Sequence, residues 1–186
     1  MTHADDRIAS PEAILTFWLE AGYEKWFGKN EAFDIAIRTR FLATYEAAAG
    51  GRLGDWEKTA DGALALTIAL DQFPRNMFRS DPRSYATDAL ARAVAKRAVA
   101  QGFDRKVVPD LRSFFYLPLM HSEDLADQEQ CLSLYRELGD AVSSRYAEEH
   151  ADIIRRFGRF PHRNAVLGRA TTPEEQAFLD GGGFKG

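Results

Sequence analysis

The sequence predicts an all-α protein made of stacked antiparallel helices. Wherever apolar residues recur regularly, they recur every three or four positions, which is the period of a helix that buries one face. No segment alternates apolar and polar residues, as a half-buried strand would. Proline, glycine and capping residues also divide the chain into segments of helix length.

Length and composition favour a single folded domain over residues 1–186, although the length also suits two tightly packed helical lobes. The chain has 186 residues, 45% of them hydrophobic, and its 13 Phe and 6 Tyr exclude a disordered protein. Residues 1–9 and 181–186 carry no helical periodicity and are predicted to be loose tails.

Charge and cysteine content exclude several classes of function. The net charge of −4 argues against a nucleic-acid-binding protein. No apolar run is long enough to span a bilayer and the first residues lack a signal-peptide pattern, so we expect no membrane partner and a cytoplasmic location. Cys131 is the one cysteine, which excludes an intrachain disulfide and cysteine-based zinc sites. The sequence leaves the oligomeric state open.

Start and stop signals place the helices of the first two thirds. Ser10-Pro11 is typical of a helix start, and Pro74 is expected to end the third helix at Phe73. In the fourth, Tyr85 and Leu90 are expected to point inward. The predicted spans are Pro11–Leu19, Asn30–Gly50, Thr59–Phe73 and Pro82–Ala100.

A break at Pro118 precedes the next helix. Proline lacks an amide hydrogen and disfavours the α conformation in the residue before it, so the chain is expected to kink or end a helix there. Ser122 is predicted to cap the following helix, with Glu123 and Asp124 in its first turn. That helix has an inward stripe on which Gln128 is predicted to be buried and hydrogen-bonded, with partners in the arginine-rich residues 155–169 or at the Phe73-Pro74 corner. Two later helices are predicted over Ala141–Phe157 and Thr172–Leu179.

Opposite charges are segregated into two short segments at helix breaks. His121–Glu129 holds four acids and no Lys or Arg, whereas residues 155–169 hold five arginines and no acid. Each segment also contains a histidine. Guanidinium groups suit carboxylate and phosphate equally well, whether these belong to a ligand or to the protein. We expect the two segments to meet, either as a ligand site or as an internal ion-pair network.

Two distant segments share a short motif. Phe73-Pro74-Arg75-Asn76 and Phe160-Pro161-His162-Arg163-Asn164 both place Arg and Asn after a Phe-Pro pair. Stacked helical hairpins would place two such turns on the same side of the molecule. Chance or shared turn chemistry would also produce a match this short.

Several motifs together resemble a family of bacterial proteins, domain of unknown function 924. The resemblance covers nearly the whole chain and is carried by Leu70–Asn76, Met120–Gln128, Arg156–Asn164, Leu167–Arg169 and Thr172–Glu175. It implies an all-α fold of the right-handed tetratricopeptide-like superhelical type. It implies no activity, substrate or catalytic residue.

The residues therefore support two hypotheses. One is a polar cleft that binds a small carboxylate or phosphate ligand, with or without histidine acid–base chemistry. The other is an interaction scaffold that receives a peptide or a protein C-terminus in the same groove. We expect neither a metal nor a cofactor. The candidate catalytic residues are His121, His162 and Glu123, and the candidate ligand-binding residues are Arg75, Asn76, Gln128, Arg159, Arg163 and Asn164.

Overall fold

The computed structural model describes residues 8–184, which contain α-helices and short 3₁₀ segments but no β-strand. The all-α prediction is therefore confirmed for this part of the chain. The α-helices are α1 (Pro11–Ala21), α2 (Tyr23–Phe27), α3 (Glu31–Ala49), α4 (Ala60–Met77), α5 (Asp88–Ala100), α6 (Leu117–Met120), α7 (Leu125–Leu138), α8 (Ala141–Phe157) and α9 (Pro173–Asp180).

The chain forms two compact units. The first comprises the described parts of Met1–Arg79 and Arg83–Pro118, and the second comprises Ser80–Pro82 and the described part of Leu119–Gly186. In the first unit, α4 is the central helix and packs against α1, α3 and α5. In the second, α7 and α8 pack together as a helical hairpin joined by Gly139 and Asp140. The single domain and the superhelical arrangement remain predictions.

The first helices begin where the capping signals place them. The Ser10 hydroxyl accepts the Ala13 amide at 3.2 Å, and the Asn30 side chain accepts the Phe33 amide at 2.9 Å. The predicted face of α3 is buried at Phe33, Ile37, Phe41 and Tyr45. The 3.6-residue period was therefore sufficient to identify its inner side.

Pro74 does not end α4, contrary to the prediction. It lies inside the helix, which continues to Met77. A proline at this position leaves the carbonyl four residues earlier without its amide donor. That carbonyl belongs to Leu70, and the buried Thr87 hydroxyl donates to it at 2.6 Å. The side chain of a later segment thus replaces the missing backbone bond.

The helix predicted over Pro82–Ala100 is also divided. Pro82–Tyr85 forms a 3₁₀ turn and α5 starts at Asp88. Leu90 is 44% exposed, so its predicted inward position is wrong. The buried face of α5 consists of small side chains instead, namely Ala91, Val94, Ala95 and Ala98.

The break near Pro118 exists, but Ser122 does not cap α7. The cap is Asp124, whose carboxylate accepts the Ala126 amide at 2.9 Å. Ser122 instead accepts the Asp124 amide at 3.1 Å and donates its hydroxyl to Asp127 at 2.7 Å. Glu123 therefore precedes the helix, and its predicted place in the first turn is wrong. The prediction failed because Asp124, two residues after Ser122, has a side chain that caps a helix equally well.

Gln128 is fully buried and hydrogen-bonded, as predicted. Its partners differ from the expected ones, which were the arginine-rich loop or the Phe73-Pro74 corner. Its amide nitrogen lies 2.7 Å from the Met120 carbonyl and 2.6 Å from the Ser122 carbonyl. These carbonyls flank His121, so Gln128 stabilises the loop that carries this histidine.

The last two helices agree with the prediction. α8 has the predicted bounds, and α9 begins with a capping box in which Thr172 and Glu175 bond each other's backbone. Both predicted tails contain described contacts. The Ala9 amide donates to Thr44 at 2.8 Å, and the Phe184 ring packs against His150 with 4.5 Å between centroids.

Candidate functional site

Each compact unit contains one Asn and one Arg that hold the same buried or half-buried acid. In the first unit the acid is Asp34. Asn76 donates to it at 2.7 Å, and Arg79 contacts both of its oxygens at 2.5 and 2.9 Å. We call these three residues the first corner. Its charges are matched within the protein.

Arg75, another predicted ligand-binding residue, is also committed to protein partners. Its guanidinium contacts both oxygens of Asp88 at 2.8 and 3.0 Å and donates to the Asp71 carbonyl at 2.7 Å. Burial alone would lower the pKa of Arg75, but Asp71 and Asp88 raise it above its usual range. The sequence-predicted residues of the first unit, Arg75 and Asn76, thus stabilise its fold.

The second unit repeats this arrangement with Glu175 as the acid. Asn164 donates to Glu175 at 3.1 Å, and Arg159 contacts both carboxylate oxygens at 2.6 and 2.8 Å. We call these residues the second corner. The Arg159 ion pair lowers the pKa of Glu175 to about 2, with the Thr172 amide as a further donor. Arg159 and Asn164 are therefore occupied by the protein itself.

Glu123 connects the loop before α7 to the arginine-rich segment. Arg169 contacts its two oxygens at 2.7 and 3.0 Å, and the Phe160 amide donates to it at 2.8 Å. Although burial raises the pKa of Glu123, these donors hold it below its usual value. Glu123 is thus an ionised anchor for the chain around Phe160.

Beside this anchor lie three histidines and one buried arginine. The Arg163 guanidinium stacks over the Phe160 ring at 4.6 Å and donates to the His121 carbonyl at 3.0 Å. The His162 and His150 rings lie 5.7 and 5.6 Å from that same Phe160 ring. His121, His150, His162 and Arg163, together with Phe160, are called the histidine site below.

His150 and His162 are both neutral at physiological pH. Burial lowers the pKa of His162 to about 3, and the charge of Arg163 contributes to that shift. Burial likewise lowers the pKa of His150 to about 4, although its bond to a backbone carbonyl opposes this. The His162 Nδ1 atom is buried and has no hydrogen-bond partner among the described residues. A ligand with a polar atom at this point would supply one.

The structure brings together part of the predicted constellation. The expectation that the His121 loop meets the arginine-rich segment is confirmed by the Arg163 and Arg169 contacts. Sequence reasoning missed His150. The available signal was its position on α8, where Tyr146, His150 and Ile154 follow one another at four-residue intervals, the spacing of a single helix face.

Other features of the described residues are distinct from this site. A cavity of about 490 Å³ in the first unit is lined by one face of α1, by the first turns of α4, and by Val108 and Leu111. No residue proposed from the sequence lines it. Within residues 8–184, no three His, Cys, Asp or Glu side chains are placed to hold a metal ion. Within that same range, no helix has the length and apolar character that crossing a membrane requires.

Comparison with known proteins identifies relatives without an assigned activity. The family model described as "Bacterial protein of unknown function (DUF924)" matches residues 14–183. The solved structure of a protein of unknown function, ATU0120 from Agrobacterium tumefaciens, is 48% identical, with a TM-score of 0.89. The similarity covers 92% of this chain and 97% of that one. None of the curated proteins compared with the chain matches it.

Proposed function

The chain belongs to the DUF924 family of bacterial proteins, and from that premise we propose that it binds a small carboxylate or phosphate anion at the histidine site. The observation that carries the proposal is the Arg163 charge, held at 7% exposure beside imidazoles that are themselves neutral. A cation removed from water attracts an anion more strongly than an exposed one does. Its guanidinium geometry also suits both oxyanions.

The individual residues then have different roles. Arg163 supplies charge, and His162 supplies a ring nitrogen to the ligand. His121 belongs to the loop that Gln128 stabilises through the Ser122 carbonyl. Asn164 and Glu123 stabilise the neighbouring loops through their own hydrogen bonds. We do not include Arg159, Arg75 or Asn76 in the binding set, because carboxylates of the protein occupy them.

Acid–base chemistry at this site requires the ligand. With a pKa of about 3, His162 is a weak base at neutral pH. An anion beside it favours the charged imidazolium and moves that pKa upward. We therefore propose binding as the primary function and proton transfer by His121 or His162 as a step that follows it.

Thermal denaturation tests the binding proposal. We expect sulfate, phosphate or acetate at about ten times its dissociation constant to raise the melting temperature by roughly 3–6 °C. Chloride at matched ionic strength should not. The rise should be lost in Arg163→Gln and His162→Gln but retained in Arg156→Gln, an arginine that is half exposed and paired with Glu174. Equal responses to chloride and to the oxyanions would contradict the proposal.

The interaction-scaffold alternative is tested in the same assay. A short peptide with a free C-terminal carboxylate supplies the same charge as acetate, and its amidated form does not. Stabilisation by the free peptide at concentrations where acetate has no effect would favour the scaffold.

A further inference from the structure

His150 shares its environment with His162 although the two lie on different elements. His150 lies on α8, and His162 lies in the 3₁₀ turn Pro161–Arg163. Both rings contact Phe160, and both contact the Phe184 ring, at 4.5 Å from His150 and 5.1 Å from His162. The two imidazoles are therefore held against the same pair of aromatic side chains.

The hydrogen bond of His150 fixes its tautomer. Its Nδ1 lies 2.8 Å from the Tyr146 carbonyl, which can only accept, so Nδ1 carries the hydrogen. In the neutral ring, Nε2 then has the free lone pair. His162 has its own unsatisfied atom, the buried Nδ1. Each ring thus retains a nitrogen that can take part in proton exchange.

The charged groups that act on this pair are mostly cationic. Arg163, His150 and His121 disfavour the protonated form of His162, whereas Glu123 favours it. His150 is disfavoured by His121 and Arg163. The Glu123 carboxylate already contacts Arg169 through both oxygens. A further negative charge is what this group of residues requires before either ring can be protonated.

We infer that the histidine site takes up a proton together with its anion, and that the pair of His150 and His162 accepts that proton. This inference rests on the proposed function and adds its regulation by pH. A bound oxyanion offsets the charge of Arg163, so one imidazole becomes an imidazolium while the other stays neutral. By linkage, a ligand that raises proton affinity is itself bound more tightly when protons are abundant. The site therefore favours oxyanions at mildly acidic pH.

Titration calorimetry with sulfate measures this coupling directly. Sulfate is the probe because it stays fully ionised above about pH 4 and takes up no proton itself, so any uptake belongs to the protein. The observed heat in two buffers of different ionisation enthalpy gives the protons bound per sulfate. We expect roughly 0.5–1 proton at about pH 5.5, and binding about three- to tenfold tighter there than at about pH 7.5.

Variants assign the coupling to the histidine pair. In His150→Gln, whatever the sulfate affinity at about pH 7.5, the gain in affinity on acidification to about pH 5.5 should fall below about twofold. Glu149→Gln, which removes an exposed titratable group one position away on α8, should behave as the wild type does. Circular dichroism identifies a variant that fails to fold. In that case the proton uptake of the wild type, measured in the two buffers, tests the inference without the variant. Sulfate binding without proton uptake, and with equal affinity at both pH values, would overturn the inference but leave the proposed function standing. An absence of sulfate binding at both pH values would overturn both.

Discussion

The first and second corners use the same chemistry in different surroundings. In each, an Asn side-chain amide and a bidentate Arg bind one carboxylate, which is Asp34 in the first and Glu175 in the second. The Asp34 side chain is 17% exposed and that of Glu175 is 3% exposed. The second corner adjoins the histidine site, because Asn164 directly follows His162 and Arg163 in the chain. The first corner adjoins no such site among the described residues.

This difference separates stabilisation from function. The two corners explain the Asn of the Phe-Pro motif, since Asn76 and Asn164 each hold an acid of the protein, and this requires no ligand. The arginines that complete the corners, Arg79 and Arg159, lie outside the motif. Their backbones differ, since Pro74 lies inside α4 and Pro161 begins a 3₁₀ turn. What the second segment adds is the neutral histidines around Phe160, the ring on which its motif arginine, Arg163, is stacked. That addition is the basis for placing the binding site there.

Removing the acid from each corner should give the largest difference between them. We expect Glu175→Ala to lower the free energy of unfolding by roughly 3 kcal/mol, because it strands a buried amide and removes a helix capping box. Asp34→Ala should cost roughly 1 kcal/mol, since its arginine partner is more exposed. Urea denaturation of both variants gives the comparison. Equal losses would show that burial does not distinguish the corners.

Gln128 provides the next largest expected effect. Gln128→Leu should cost about 2 kcal/mol, because the Met120 and Ser122 carbonyls lose their buried donor. Gln176→Leu, at an exposed position on α9, is the matched control and should change stability by less than about 0.5 kcal/mol. If both substitutions have the same small effect in urea denaturation, Gln128 does not hold the His121 loop.

The bond that lets α4 continue past Pro74 is testable in a double-mutant cycle. Thr87→Val should cost about 1 kcal/mol, because the Leu70 carbonyl loses its donor. In a Pro74→Ala background, the restored backbone amide competes for that carbonyl, so the same substitution should cost less. Additive effects in thermal or urea unfolding would show that the two residues are independent.

Acidification should lower the free energy of unfolding through the histidines of the second unit, at a pH where the carboxylates are still ionised. The folded-state pKa values of His150 and His162 lie at about 4 and about 3, below their usual value. The unfolded chain therefore binds more protons, and the stability that these groups contribute is lost as pH falls from about 6.5 toward 4. Between about pH 7 and 6 we expect a loss of roughly 0.5–1 kcal/mol for each histidine.

The control for this pH effect comes from the same residues. His150→Gln and His162→Gln should each flatten the dependence of unfolding free energy on pH in that window. Asp34→Ala should not, because the described residues of the first corner include no histidine. A dependence that is equally steep in all three variants would assign it to other groups.

Much of this fold could be predicted from the sequence because local signals agree with it. Capping at Ser10 and Asn30 and the buried stripe of α3 needed no tertiary information. Pro74 was misjudged because its rescue depends on Thr87, which is distant in sequence. Ser122 was misjudged because Asp124 competes for the same role.

The candidate site was predictable in part for a related reason. Segregated charge located the two loops that meet through Arg163 and Arg169. It could not show that Arg159 pairs with Glu175 while Arg163 stacks over Phe160, since both arginines lie in the same short segment. His150 lay outside that segment and joins the site only through the packing of α8.

Nuclear magnetic resonance titration of the histidine rings tests the central claim most directly. The claim is that buried, neutral imidazoles beside Arg163 form a site for an anion. It predicts that without added oxyanion the signals of His150 and His162 do not titrate above about pH 5, and that sulfate moves the pKa of at least one of them upward by about two units. Ordinary titration of both rings near about pH 6.5, unchanged by sulfate and by Arg163→Gln, would contradict it.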